Sequence, residues 1–227
     1  MKDFNKLDAF TKYVLSQVDE TPVLIANQKT IAKELLNKME VIDPYAILAG
    51  GCPRDWYFNK VANDLDFYVH IKAETMQATE LRMKRLGLDI SPMSWESNDE
   101  HEYKCMEHLH AVWDGVYKGQ KFQVMVMNES TFTSVVNKFG SSVCMAWWKG
   151  GKVEPTLPFL LSHHMKVIFL KDDYTAKEKH VAKMVARYPD YNVLGYDKFE
   201  SIKHRFAMKE NIYPTDGSIF ERLSALT

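Results

Sequence analysis

Asp64 and Asp66 stand one residue apart at the opening of an apolar stretch, and the pair Gly50-Gly51 closes the apolar stretch before it. In a β-strand, residues i and i+2 share a face, so both carboxylates project into the same space. Two hard oxygen donors side by side suit Mg²⁺ (or Mn²⁺), which is held by one or two carboxylates together with substrate phosphates. A glycine pair lets backbone N–H groups approach a phosphate closely, and a helix start just after it adds the positive end of a dipole. These residue types in this order suit the holding of a metal–triphosphate: Asp64 and Asp66 as metal ligands and catalytic groups, Gly50 and Gly51 as a phosphate cradle.

The elements that must position them follow from hydrophobic period and turn residues. Residues 1–40 read as helical, with Phe10, Tyr13, Val14 and Val18 at helical spacing, a break at Thr21-Pro22, and a second amphipathic helix over Thr30–Met39. A first core strand is expected at about 45–49, a short helix over 52–60 with Pro53 in its first turn, and a second strand at 64–71. A helix over Glu74–Leu86 ends at Gly87, and the polar stretch 88–108 reads as a long loop over the site. Leu109–Tyr117 and Lys121–Asn128 read as strands joined around Lys118-Gly119, and Ser130–Lys138 as a capped helix. Ser142–Trp148 and Lys152–Glu154 suggest a small hairpin around Gly150-Gly151. Leu157–Phe169 and Thr175–Tyr188 read as helices, and the basic, aromatic tail ends in a short helix near Ser218–Leu226.

The chain has 227 residues, 46% hydrophobic and 12% aromatic, enough for one large domain or two small ones. A net charge of −1 excludes a protein that grips nucleic acid over its whole surface. The three cysteines, Cys52, Cys105 and Cys144, imply no disulfide framework and point to a reducing, cytoplasmic setting. The N-terminus lacks an apolar leader and no stretch approaches the length of a membrane span, so neither secretion nor membrane insertion is expected. His101, Cys105, His108 and His110 match no common zinc spacing and, with Glu102 and Glu107 among them, read as a polar surface loop. Of the pair His163-His164, in an apolar helix, one is expected to be a packed histidine. Trp95, Trp113, Trp147 and Trp148 read mainly as core residues, with a tryptophan near 147 also able to stack on a base.

The ordered set Gly50, Gly51, Arg54, Asp55, Asp64 and Asp66 resembles the nucleotidyltransferases of the DNA polymerase beta superfamily. The resemblance is strongest to the branch of tRNA CCA-adding enzymes and bacterial poly(A) polymerases, whose pattern is Gly-Gly-x-x-Arg-Asp, a short spacer, then Asp-x-Asp. It implies an α+β fold: a catalytic head with a small mixed sheet and helices over residues 1–150, and a short C-terminal helical region over 151–227. It also implies a Mg²⁺-dependent enzyme that moves a nucleoside monophosphate from an NTP to an acceptor hydroxyl and releases pyrophosphate. Arg54 would contact phosphate or organise Asp55.

Two-metal phosphoryl transfer commonly uses a third carboxylate on a later strand. The position that the resemblance assigns to it is Gln123, in Lys121-Phe-Gln-Val-Met-Val126, an amide that can ligate metal without charge. Asp114 would substitute only if its face points inward. The family's Arg-Asp-Phe-Thr-x-Asn-Ala segment has a partial counterpart in Phe139–Ala146, where Ser142 stands for the threonine and Cys144 for the asparagine. A helical cationic stripe, His180, Lys183 and Arg187, matches the place where the family offers cations to the nucleotide. The family's base-selecting signature is not visible.

Enzymes of this branch that build tRNA ends carry long helical extensions, so the chain is most similar to small nucleotidyltransferases of phages and bacteria. The leading acceptor is the 3′ end of tRNA or another RNA, with Lys203–Lys209 as a basic RNA contact. A protein or small-molecule acceptor, or a nucleotide-binding module with little turnover, are the other two readings.

Overall fold

Alternating apolar positions in the middle of the chain pair into a seven-stranded mixed sheet. The computed structural model describes residues 19–72, 75–92, 109–128, 133–171 and 177–210, with only the backbone described at 76, 133, 177–180 and 205–210. The expected helices around residues 10–18 and 218–226, Trp95, and His101, Cys105 and His108 lie outside the described residues.

The first described helix, α1, runs unbroken from Thr21 to Met39. The expected break at Thr21-Pro22 is instead its start: proline in the first turn removes an N–H that would lack a helical partner, and Asp19 accepts the Thr21 N–H at 3.0 Å. Ile25, Gln28, Ala32, Leu35, Leu36 and Met39 form its buried stripe.

Strand β1 (Ile47–Ala49), helix α2 (Gly51–Tyr57), strand β2 (Leu65–His70) and helix α3 (Met76–Arg85) follow in order. Then come β3 (Ile90–Pro92), β4 (Leu109–Tyr117), β5 (Gln120–Met127), α4 (Thr133–Asn137), a 3₁₀ turn (Ser142–Cys144), β6 (Ala146–Trp148) and β7 (Val153–Pro155). The chain continues through α5 (Leu157–Met165), β8 (Val167–Leu170), α6 (Lys177–Arg187), β9 (Asn192–Gly195) and α7 (Tyr196–Glu210).

The large sheet has the order β3-β4-β5-β2-β1-β6-β7, and β8 and β9 form a separate parallel pair. Strand β2 runs parallel to β5 and antiparallel to β1, and all other neighbours in the large sheet are antiparallel. One face carries Leu48, Phe67, Trp113, Phe122, Val124 and Trp148 against α1 and α3. The other carries Ile47, Tyr68, Val112, Met125 and Met127 against α4 and α5. This is an α+β architecture, a mixed sheet with seven α-helices among the described residues. None of these helices is long and apolar enough to cross a membrane.

Three further expectations are corrected. The polar stretch after Gly87 begins with an edge strand, β3, paired to β4. Ser142–Cys144 is a 3₁₀ turn and not part of a strand. The apolar run 157–169 is not one helix: Lys166 takes a left-handed conformation (φ 54°) that ends α5, and the β-branched Val167-Ile168 start a buried strand. The hairpin β6–β7 straddles residue 150, and the C-terminal part adds the β8–β9 pair to its helices.

Candidate active site

The glycine turn comes first. Gly50 sits at φ 88° and ψ −126°, backbone that only glycine adopts without strain. A Cβ there would meet Phe139 no closer than 3.6 Å, so the demand for glycine is conformational and not steric. The Gly50 N–H donates to the Ala146 carbonyl at 3.0 Å, fixing the end of β1 to β6. Helix α2 then leads back towards β2. The loop that joins them is pinned by Gln28, the one polar residue in the α1 stripe. Its Oε1 accepts from Trp56 Nε1 (3.1 Å) and the Ala62 N–H (3.0 Å), while its Nε2 donates to the Ala62 carbonyl (2.7 Å) and to Gln120 Oε1 (2.9 Å). That loop delivers Asp64.

Leu48 pairs with Phe67 across β1 and β2, so the register sets Ala49 opposite Asp66 and the Gly50 turn beside the start of β2. Asp64 is exposed and Asp66 half-buried. Helix α2 packs over them, and the buried Cys52 thiol in its first turn records the crowding. Its pKa is raised by burial first, then by the charges of Asp66, Asp55 and Asp64.

Asp66 is the register partner of Gln123, Gln123 of Asp114, and Asp114 of Ser91. These four residues form one transverse polar row on the face that α4 and α5 leave open. Asp114 therefore does point to the site side, and its Oδ1 accepts from Gln123 Nε2 at 2.8 Å. The β4–β5 pairing brings it there, information carried by register and not by motif. Beside the row lies an open cleft of about 590 Å³, whose lining includes Asp64, Asp89, Ser91, Asp114, Lys121 and Gln123.

Arg54 takes the second of its two expected roles, organising Asp55, and Ser142 is enclosed by its own protein neighbours. Arg54 is 3% exposed; its Nε donates to Asp55 Oδ1 at 2.9 Å and its Nη1 to Cys144 Sγ at 3.1 Å. Burial works against its charge, but Cys144 and Asp55 more than compensate and raise its pKa. Ser142 is wholly buried, sharing a hydrogen bond with Ser162 Oγ and accepting the Phe169 N–H at 2.9 Å. In the cationic stripe, Lys183 is exposed, the His180 side chain lies outside the described residues, and Arg187 reaches back to Asp55. Val181 and Met184 of α6, with Tyr188 just beyond its end, pack against Val143, Ile168 and Leu170, whereas Val185 is 39% exposed. His163 is the packed histidine, its rings of contact being Phe58, Phe159, Tyr188 and Tyr191.

Neither a family profile nor any curated protein sequence matches the chain. Solved structures do. A structure titled "tRNA-processing enzyme (apo form I)" superposes with a TM-score of 0.52 at 13% identity, over 74% of this chain and 44% of its own. The Thermotoga maritima CCA-adding enzyme complexed with tRNA gives 0.50 at 13%, over 81% of this chain and 42% of that one. The Bacillus stearothermophilus CCA-adding enzyme in complex with CTP gives 0.50 at 10%, over 73% and 40%. The chain thus has a nucleotidyltransferase-like fold and spans less than half the length of these structures.

Proposed function

We propose that the protein is a nucleotidyltransferase that moves a nucleoside monophosphate from an NTP to an acceptor hydroxyl, with an RNA 3′ end of the tRNA kind as the leading acceptor. The observation that carries this is the meeting of the Gly50-Gly51 turn with Asp64 and Asp66 at one end of the β1–β2 pair. The solved structures of this fold include one with CTP and one with tRNA, which supports NTP and tRNA as partners.

The donors suit Mg²⁺ or Mn²⁺. Asp64, at the entry to β2, and Asp66, on it, offer hard oxygens, and Gln123 adds an amide beside Asp66. Among the described residues no three His, Cys, Asp or Glu side chains gather into a complete cage. That fits a cation that keeps water and phosphate oxygens as its other ligands. When bound there, such an ion would neutralise charge on the triphosphate and on the leaving pyrophosphate. The chain's own part is positional. Asp64 and Asp66 hold the negative charge that draws the cation to β2. The backbone of Gly50 and Gly51 takes the phosphates, and Gln28 fixes the loop that presents Asp64. Lys183 and His180, on α6, are the cations offered to the nucleotide.

One observation favours a second acceptor. Among the described residues, the cleft beside Asp64 presents Asp64, Asp89 and Asp114 against one cation, Lys121, a lining that repels a polyanion and suits a cationic protein segment or small molecule.

The deciding experiment is pyrophosphate release with Mg²⁺, each NTP and total tRNA, beside an Asp64→Ala/Asp66→Ala variant. Release that needs both aspartates and tRNA supports the RNA reading and names the nucleotide. Release that ignores tRNA moves the acceptor to protein or small molecule. Nucleotide binding without release leaves a binding module.

A further inference from the structure

Asp55 is buried beneath the glycine turn and takes two guanidinium groups on one oxygen. Arg54 Nε lies 2.9 Å from Asp55 Oδ1, and Arg187 Nη2 lies 2.6 Å from the same atom. Arg187 belongs to α6, 132 residues further along the chain. Its partner α2 is the helix that Gly50 and Gly51 open. A Cβ on Gly51 would sit 3.6 Å from Arg54 Nη2, so the Arg54 guanidinium is the floor of the turn. Arg54 is steered on its other edge by Cys144. Arg187 is thus joined, through one carboxylate and one guanidinium, to the backbone that would hold phosphate.

We infer that Arg187 is a positioning residue: it acts on the nucleotide through Asp55, docking α6 onto α2 so that Arg54 stays seated under the glycine turn. This departs from the simpler role of a cation that touches the triphosphate, and it rests on the nucleotidyltransferase reading for its ligand. The charges explain the design. Asp55 is 7% exposed, and a buried carboxylate between two guanidiniums is held in a defined place. Among the described residues, Asp55 without Arg187 has only its neighbour in sequence, Arg54, to fix it. Without Asp55, the two guanidiniums repel.

The test uses the full chain with Arg187→Ala, Arg187→Lys, Asp55→Asn and the Arg187→Ala/Asp55→Asn double variant. Amide hydrogen exchange over residues 47–57 is read without ligand, and the affinity for each Mg²⁺·NTP is read by calorimetry. A positioning role predicts faster exchange in that segment for both single variants and a loss of NTP affinity of about tenfold each. The double variant is no weaker than the poorer single one, because both act through one link. Lysine at 187 recovers part of the affinity, since it keeps the charge but loses the planar fork. Additive losses with unchanged exchange would overturn the inference, making Arg187 a direct ligand contact. Unchanged exchange and unchanged affinity would overturn it as well. Should Asp55→Asn not fold, exchange in Arg187→Ala against Arg187→Lys decides alone: equal to wild type in both, the inference fails. If the wild-type chain binds no NTP, the nucleotidyltransferase reading fails and takes this inference with it. NTP binding by wild type with flat variants sinks the inference only.

Discussion

Two carboxylate sites lie near Cys52, and they are built in opposite ways. Asp55, in α2, is buried and gripped by Arg54 and Arg187. Asp64, just before β2, lines an open cleft, and Asp66, on β2 and half-buried, has an amide, Gln123, as its neighbour across the sheet. The first site spends its charge inside the protein. The second holds charge where a cation from solvent can reach it. A carboxylate beside arginines is a fastening; the pair at the end of the glycine turn is the receptor for a cation under the function proposed above.

The largest expected effects separate the two sites by kind. Asp64→Ala/Asp66→Ala should lower pyrophosphate release by at least about 10³-fold, about 4 kcal/mol of lost transition-state stabilisation. Its melting temperature should stay level or rise, because two neighbouring carboxylates no longer repel each other. Asp55→Ala should do the reverse and cost about 3–5 kcal/mol of stability, since it strands the buried Arg54. Melting curves and release rates on the same preparations check both. Equal stability losses in the two variants would erase the distinction.

The next effect belongs to the fastening side. His163 is pushed down to about 4 by burial first, with the Arg54 charge adding to it and the Val143 carbonyl opposing. Its ring nitrogen Nδ1 shares a hydrogen bond with Tyr191 Oη at 2.9 Å. An unfolded histidine titrates near 6.5, so between pH 6.5 and about 4 the unfolded chain binds the proton and the folded one does not. Stability is therefore full above pH 6.5 and falls as pH drops towards 4, by roughly 2–3 kcal/mol. Two carboxylates with lowered pKa, half-buried Glu34 and exposed Asp190, add losses only once pH falls through their ordinary values of 4.5 and 3.8. His163→Phe should flatten the slope between pH 6.5 and 4.5 in a series of melts. An unchanged slope would place the titrating group elsewhere.

What the sequence made legible follows the same division. The receptor side is local: a positive-φ turn needs glycine at Gly50, and a strand puts Asp64 and Asp66 on one face, so spacing alone reveals it. Gln123 is reached only through the family resemblance, which assigns it the place of the third carboxylate on a later strand. Its coupling to Asp114 needed the β4–β5 register. The fastening side is not local. Nothing near Arg187 or Ser142 in the chain announces that one meets Asp55 and the other is enclosed by Ser162 and Phe169. Short edge strands such as β3 and β9 carry too few residues to show a period. The end of α5 at Lys166 is a left-handed residue with no glycine to signal it. Gln28 alone left a trace, a polar residue in the apolar stripe of α1.

Gly50→Ala probes the hinge between the two sites. With ordinary room for a methyl group but φ 88°, the cost is backbone strain of about 1–3 kcal/mol. It should appear as a melting temperature lowered by several degrees together with weaker NTP binding. If only stability falls, the turn is a fold element and not a phosphate cradle.

The smallest effect is the most diagnostic of the receptor. Gln123→Asp places a carboxylate where the amide now donates to Asp114 at 2.8 Å and beside Asp66 in register. In EDTA, three neighbouring carboxylates repel, and the variant should melt lower than wild type by an amount worth about 1 kcal/mol. Adding Mg²⁺ or Mn²⁺ should reverse that loss and carry the variant to or above the wild type, because the third charge now serves the cation. The wild-type chain, with two aspartates and an amide, should respond less to the same ions. A variant that melts low in EDTA and is not rescued by divalent ions would show that the polar row is an acidic surface, and the contrast with Asp55 would be one of exposure alone.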